Sequence, residues 1–368
     1  MKAKILIINP EFYVYGGAER QIVFLANWLT DHNYSTTLLT SGNIVPELRR
    51  DLKETRIISS PSRQEMFAIA QNICKKFNII NPHNHPAELM TIPYKTPVVW
   101  QCNEPPIQIL EGGDIPDIEK DAVRKYVNKA VVISDFEKER FKKVYGFEPI
   151  VNYPGLTSFP RFGRGWTKPK DRFGLKKNFV LIQAGMYTFT KNQIKTVEIF
   201  ADVKKKIPNA KLVLIGYDKL PYKFEVDSKI NELGLGDDVI TLGYLKDDRE
   251  MRDLYHMAKI HIAPVREHQG GWMTHFQALM VGRPAIISSD FTAKTLAEKH
   301  NLGTVIDVDD FAKEIIKIHD NYEKYKKDAE KAGKWLKENI TWKRFCEKYG
   351  EIFDEVWEDK GEMGVYEY

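Results

Sequence analysis

Cysteine is scarce in this chain. Its 368 residues include three, Cys74, Cys102 and Cys346, far apart and without a Cys-x-x-Cys pair. That argues against a disulfide framework and a zinc ribbon, and fits a reducing, cytoplasmic setting. No apolar run reaches the roughly 18 residues that a membrane-spanning helix needs. Charge of one sign is also lacking. The 55 Lys+Arg against 51 Asp+Glu leave +4, too weak over this length to call for nucleic acid as a partner. There is no G-x-G-x-x-G, so a nicotinamide or flavin reading is weak. There is no G-x-S-x-G elbow either, so serine hydrolase chemistry lacks its mark. His83 and His85 could be metal ligands in isolation, but no helical i, i+4 pair and no His/Asp/Glu/Cys set shows metal spacing.

What is present points to a folded two-domain enzyme-sized chain. Hydrophobic residues make up 43% and charged residues 29%, enough apolar material to exclude disorder as the main state. The length fits two domains, or three. Met1-Lys2-Ala3-Lys4 and then Ile5-Leu6-Ile7-Ile8 form a run too short for a signal peptide. Asn9-Pro10 follows in place of a small-residue cleavage site, so the run reads as a first strand.

Short apolar runs alternate with helical patterns. Strands are expected at Ile5–Asn9, Thr36–Thr40, from Ile79, at Val98–Gln101 and at Ala130–Ser134. Helices are expected at Ala18–His32 and Glu65–Phe77, with a charged, exposed one at Asp135–Tyr145. Tyr153–Gly174, dense in Pro and Gly, reads as an interdomain linker. The alternation restarts at Phe179–Ala184 and Lys191–Lys206 and runs to a strand at Thr304–Val308. The Lys/Glu-rich stretch Glu323–Lys337 reads as a solvated helix face. The order implies an α/β fold of two doubly wound parallel sheets. The cleft between two such domains is the default ligand site, because open sheets bind beyond the carboxyl ends of their strands.

Three strand-to-helix turns could carry chemistry. After the first strand comes Gly16-Gly17-Ala18-Glu19-Arg20, where glycines let a ligand approach the backbone and the helix N-terminus favours an anion. A tight turn without a ligand is the alternative. Gly185–Asn192 follows the first strand of the second half, and a lysine there, Lys191, can hold a diphosphate as a point charge. The alternative is a plain surface lysine. Pro264–Pro284 repeats the strand, glycine pair and helix order with Gly270 and Gly271, and places Arg266, Glu267 and His268 at the strand's end.

Together these segments resemble the retaining GT-B glycosyltransferases of family GT4, the glycosyl transferases group 1 type. The resemblance rests on Gly16–Arg20, His83-Asn84-His85-Pro86-Ala87, Ile133-Ser134-Asp135-Phe136, Tyr153-Pro154-Gly155 and Gln277–Pro284. It implies GT-B architecture, two Rossmann-like domains facing a central cleft. Residues 1–157 with 342–368 would form the acceptor-side domain, the last helix crossing back to it, and 158–341 the nucleotide-sugar-binding domain. It implies transfer of a sugar from a nucleotide-diphosphate donor to a glycan or lipid-linked acceptor, with retention and with neither metal nor cofactor.

By position, the resemblance puts Gly16, Gly17, Gly185, Lys191, Arg266, Glu267, His268, Gly270 and Gly271 around the donor sugar and diphosphate. It puts Gln277 at the ribose, and Gly243 and Tyr244 near the base. Lys191, Asn103 and Gln269 fall on the catalytic side; His83, His85 and Glu104 fall on the acceptor side. Four positions depart from the family pattern. Gln269 and Gln277 stand for two glutamates, Met186 for an arginine and Asn103 for a histidine. Gln keeps an acceptor oxygen but loses the charge; Met cannot replace a bidentate clamp, for which Arg266, His268 or Lys195 could compensate. The departures keep a second reading open, a non-catalytic nucleotide-sugar-binding or partner subunit on the same fold. A third is another enzyme of that fold, such as an epimerase or a phosphorylase. Placement is expected to be cytoplasmic. Phe162, Arg164, Trp166 and Lys168 or the helix Lys138–Lys143 could lend weak contact with an anionic membrane face; a solvated loop is the alternative. Homo-oligomerisation is left open.

Overall fold

The computed structural model describes residues 2–12, 15–93, 95–104, 114–158, 168–171, 173–267 and 272–362. The chain divides into two compact units, one of residues 1–155 with 340–368 and one of 156–339. The sequence reading put these boundaries at 157/158 and 341/342.

In the first unit, β1 (Lys4–Glu11), α1 (Gly17–Asp31), β2 (Ser35–Ser41), α2 (Pro46–Asp51), β3 (Arg56–Ser60), α3 (Arg63–Ile73) and β4 (Ile79–Pro82) come first. Then follow β5 (Val99–Cys102), α4 (Asp117–Tyr126), β6 (Lys129–Val132), α5 (Asp135–Tyr145) and β7 (Ile150–Val151). The order is β3-β2-β1-β4 in one parallel sheet and β5-β6-β7 in another. Parallel bridges Ile80–Val98 and His83–Gln101 join the two. Ile5, Leu6, Ile7 and Ile8 are all fully buried, because both faces of β1 are covered. Ile5 and Ile7 meet Ile22, Leu25 and Leu29 of α1, while Leu6 and Ile8 meet Met66, Ala70 and Trp100.

The second unit holds β8 (Phe179–Ala184), α6 (Gln193–Lys206), β9 (Ala210–Ile215), α7 (Tyr222–Glu232), β10 (Val239–Leu242) and α8 (Asp248–Met257). It continues with β11 (Ile260–Ala263), α9 (Trp272–Met280), β12 (Ala285–Ser288), α10 (Lys294–His300), β13 (Thr304–Ile306), α11 (Phe311–Asp320) and α12 (Tyr322–Asn339). Its parallel sheet has the order β10-β9-β8-β11-β12-β13. The chain winds outward from β8 to β10, then crosses to β11 and winds the other way. The strand order therefore reverses between β8 and β11, where doubly wound sheets bind ligands. The last helix, α13 (Trp342–Glu362), belongs to the first unit, where Phe345, Tyr349 and Phe353 pack into the core with α1.

Two helix expectations change. The helix read as charged and exposed, α5, buries Glu137, Phe141 and Tyr145. The stretch read as a solvated face, within α12, buries Ala329, Ala332, Gly333 and Leu336. A Cβ at Gly333 would sit 2.2 Å from the Leu279 carbonyl oxygen, so α9 and α12 touch backbone to backbone there. Small residues make that approach feasible, and a charge count along the helix does not register them. The sequence reading also missed α2, β3, α4 and β7. They are short or thinly buried; α4 buries Val123 alone.

Candidate active site

The second unit brings two cationic loops together at the β8–β11 reversal. Residues 185–192 leave β8, and Phe189–Lys191 forms a single 3-10 turn. The Thr188 hydroxyl accepts the Lys191 N–H at 3.3 Å, and the Gln183 amide donates to the Lys191 carbonyl at 2.7 Å. Asn192 follows in the left-handed region at φ 60°, which asparagine tolerates better than most residues. Its amide donates to the Pro264 carbonyl at 2.9 Å, while its oxygen accepts from the Arg266 guanidinium at 2.6 Å. The Arg266 N–H donates to the Thr190 carbonyl at 3.0 Å, and the guanidinium lies 4.2 Å over the Phe189 ring. Arg266 is thus clamped to the Lys191 loop from three directions.

Glycine has a steric role here. A Cβ at Gly216 would fall 1.9 Å from the Gly185 carbonyl oxygen, so the ends of β8 and β9 converge at a spacing no side chain permits. The methylenes of Lys191 run past Gly185, 3.7 to 3.9 Å from where a Cβ would stand. On the far side, the Thr274 hydroxyl of α9 donates to the Ala184 carbonyl at 3.1 Å and holds that helix's first turns against β8. Tyr255 donates to the Thr274 carbonyl at 3.0 Å and reaches the Gln277 side-chain oxygen at 3.5 Å. Gln277 is buried, one turn along α9. His268, Gln269, Gly270 and Gly271 lie outside the described residues. Glu267 precedes them, exposed and left-handed at φ 57°. Gly243 and Tyr244 follow β10 at the sheet edge, with β9 between them and β8.

Of the residues considered as substitutes for the missing arginine, Lys195 is committed elsewhere, 3.2 Å from Asp309. Arg266 is the one the structure joins to Lys191's loop. Met186 serves through its backbone, its carbonyl accepting from Gln193 at 3.0 Å.

In the first unit the carboxyl ends of β4 and β5 carry a different chemistry. His83 is fully buried, its Nε2 2.9 Å from Asn81 Oδ1, and burial pushes its pKa down to about 3. The acceptor-side expectation for His83 is corrected accordingly: it is a neutral interior residue with no surface to offer a ligand. His85 is half-buried, with Nδ1 2.7 Å from the buried Glu88 carboxylate. Burial works against charging His85, but the hydrogen bond and charge of Glu88 hold it above its ordinary value. Burial likewise pushes the Glu88 carboxyl up.

Asn103 donates to Asn84 Oδ1 at 2.7 Å and accepts from Gln101 at 3.0 Å. Glu104 is exposed, and its charge adds to the burial that pushes Glu137 up to about 8; Arg140, at 3.3 Å, opposes the shift. Glu88 and Glu137 escaped the sequence reading. Ser134 and Glu137 do have the spacing of a helix-capping serine and its partner, and Ser134 accepts the Glu137 N–H at 3.2 Å.

At the start of α1, the Glu19 carboxylate turns back to accept the Gly16 N–H at 2.9 Å, and burial pushes its carboxyl up. An anion at Gly16 and Gly17 therefore competes with an acid already there. On α5, Lys138 and Lys142 both pair with Glu148, at 2.6 and 3.0 Å, which takes charge from the proposed membrane face. Phe162, Arg164 and Trp166 lie outside the described residues. No described helix is long and apolar enough to cross a membrane. Among the described residues no group of three His, Cys, Asp or Glu side chains is placed to hold a metal ion.

Residues 167–335 match the family model of glycosyl transferases group 1. No curated protein matches the chain. Solved structures match nearly all of it. Alr3699/HepE from Anabaena, in complex with UDP and glucose, has a TM-score of 0.81 at 16% identity, over 96% of this chain and 100% of that one. Sucrose-phosphate synthase from Thermosynechococcus elongatus has a TM-score of 0.78 at 13% identity, over 97% and 100%. A glycosyltransferase from Rickettsia africae has a TM-score of 0.75 at 17% identity, over 96% and 98%. The fold is that of the GT-B glycosyltransferases, and the family match falls within the second unit, where Lys191 and Arg266 meet.

Proposed function

We propose that the chain is a retaining glycosyltransferase of the GT4 type. It moves a hexosyl group from a nucleotide-diphosphate sugar to a glycan or lipid-linked acceptor without a metal ion. The observation that carries this reading is the clamp of Arg266 onto the Lys191 loop at the strand-order reversal of the second unit. Transfer breaks the bond from the anomeric carbon to the diphosphate oxygen and forms one to the acceptor hydroxyl, whose proton leaves. Negative charge grows on the departing diphosphate. Fixed cations aimed at that charge lower the barrier, as a metal does elsewhere. Lys191 supplies a point charge, and Arg266 a planar donor set. The UDP, UDP-glucose and glucose bound in HepE make UDP-glucose the first donor to test. At the ends of β4 and β5, His85 and Glu104 would face the acceptor and Asn103 the reacting groups.

A thermal-shift screen with UDP, GDP, ADP and their sugar conjugates, with and without EDTA, tests the reading without an acceptor. A nucleotide at a hundredfold over its dissociation constant adds about 2.7 kcal/mol of stability. One nucleotide raising the melting temperature, unchanged by EDTA, is the expected result. No shift with any of them would favour the non-catalytic partner subunit, which the Gln269, Gln277, Met186 and Asn103 replacements keep in view.

A further inference from the structure

The first unit buries a chain of polar groups that ends at Asn103. Tyr349 of α13 donates its hydroxyl hydrogen to Gln101 Oε1. The Gln101 amide donates to Asn103 Oδ1 at 3.0 Å, and the Asn103 amide donates to Asn84 Oδ1 at 2.7 Å. Beside them Asn81 donates to the Val99 carbonyl at 2.6 Å. Tyr349, Gln101 and Asn81 are fully buried and Asn103 is 8% exposed, the one link of the Tyr349–Gln101–Asn103 relay that keeps any surface.

Such a network is costly where apolar side chains would serve, because each buried amide must find its partners. This one is satisfied in one direction only. Burial keeps the Tyr349 phenol protonated and the Asn81 side chain hydrogen-bonds to its oxygen, which leaves the hydroxyl hydrogen for Gln101. With the hydroxyl donating, Gln101 must present its oxygen to Tyr349 and its nitrogen to Asn103. Asn103 must then turn its oxygen inward, and its nitrogen keeps one hydrogen beyond the bond to Asn84.

We infer that Tyr349 is a positioning residue, which through Gln101 orients Asn103 so that it meets substrate only as a hydrogen-bond donor. The partner of that donor is an oxygen of the substrate, a hydroxyl or a phosphate oxygen, and Asn103 takes no proton. The inference rests on the proposed transferase reading, in which Asn103 faces the substrate.

The experiment measures donor hydrolysis and transfer by the full chain with UDP-glucose, and with GDP-mannose and ADP-glucose as further donors. Asn103→Ala comes first; it should lose most of kcat. Tyr349→Phe keeps the ring and removes the hydroxyl. It should lower kcat about tenfold, as small misplacements of reacting groups do, with KM for the donor nearly unchanged. In the Asn103→Ala background the same change should add nothing. Gln101→Glu is the second variant. Its carboxylate still accepts from Tyr349 but cannot donate to Asn103, whereas its protonated form can. Activity of Gln101→Glu relative to the unmodified chain should therefore rise as pH falls, at temperatures where its melting curve shows it fully folded at every pH; a gain that only tracks recovery of the folded fraction would mark a packing role instead.

An unchanged kcat in Tyr349→Phe, an effect that persists in the Asn103→Ala background, or a flat relative pH profile overturns the inference and leaves the transferase reading intact. A silent Asn103→Ala likewise overturns the inference alone; no turnover by the unmodified chain overturns the reading beneath it and the inference with it.

Discussion

The two units share a topology and differ in what stands at the carboxyl ends of their strands. In the second unit the loops after β8 and β11 bring glycine backbone and two cations, Lys191 and Arg266, together. In the first, the ends of β4 and β5 hold neutral amides, the interior His83 and the buried carboxyl Glu88, and Glu137 lies buried in the first turn of α5 after β6. The second unit's arrangement suits an anion; the first unit's suits hydroxyl groups. A doubly wound sheet sets where a ligand goes, and the residues at the loop tips set which ligand. The family match respects the same division, since it covers 167–335 and so lies wholly within the second unit.

The largest expected effect comes from removing the point charge. Lys191→Ala should lower turnover about a hundredfold or more, the scale of losing one preorganised group that stabilises developing charge. Steady-state release of nucleotide measures it, and near-normal turnover would break the contrast between the units. Next is Arg266→Ala, which should weaken binding of the nucleotide that the thermal-shift screen selects by about 1.5–3 kcal/mol, the range for hydrogen bonds to charged groups. Titration calorimetry reads that loss. Arg266→Lys should recover little of it, because a lone ammonium cannot bond Asn192, stack flat on Phe189 and present a planar donor set at once.

The smallest effect lies in the first unit. Glu137 has a folded pKa of about 8, above that of an unfolded glutamate. Between the two values the folded state keeps a proton that the unfolded state gives up, so stability falls as pH rises through that window. Glu137→Gln removes the dependence. Its melting temperature should gain on that of the parent from about pH 5 to about pH 8. A gap that stays constant with pH would mean that Glu137 is already ionised in the fold.

The strand and helix alternation was legible because β1 and β8 are buried on both faces and so read as unbroken apolar runs. Edge elements such as β3 and β7 were not, since half-exposed residues carry no such signal. Lys191 stood out because a lysine beside a glycine turn is readable locally. Its tie to Arg266 was not, because Asn192 reaches across the sheet to make it. The Tyr349–Gln101–Asn103 relay was hidden for the same reason. Gln101 looks like an ordinary strand residue, and Tyr349 like one more apolar position on a helix, until α13 is laid against β5.

The return of α13 to the first unit also fixes an order of synthesis. Every residue of 156–339 leaves the ribosome before Phe345, Tyr349 and Phe353 do. The second unit can therefore close its core while the first still waits for the helix that packs against α1 and completes its core, since domains fold as units while the chain is made. The half of the molecule that starts first is the half that finishes last.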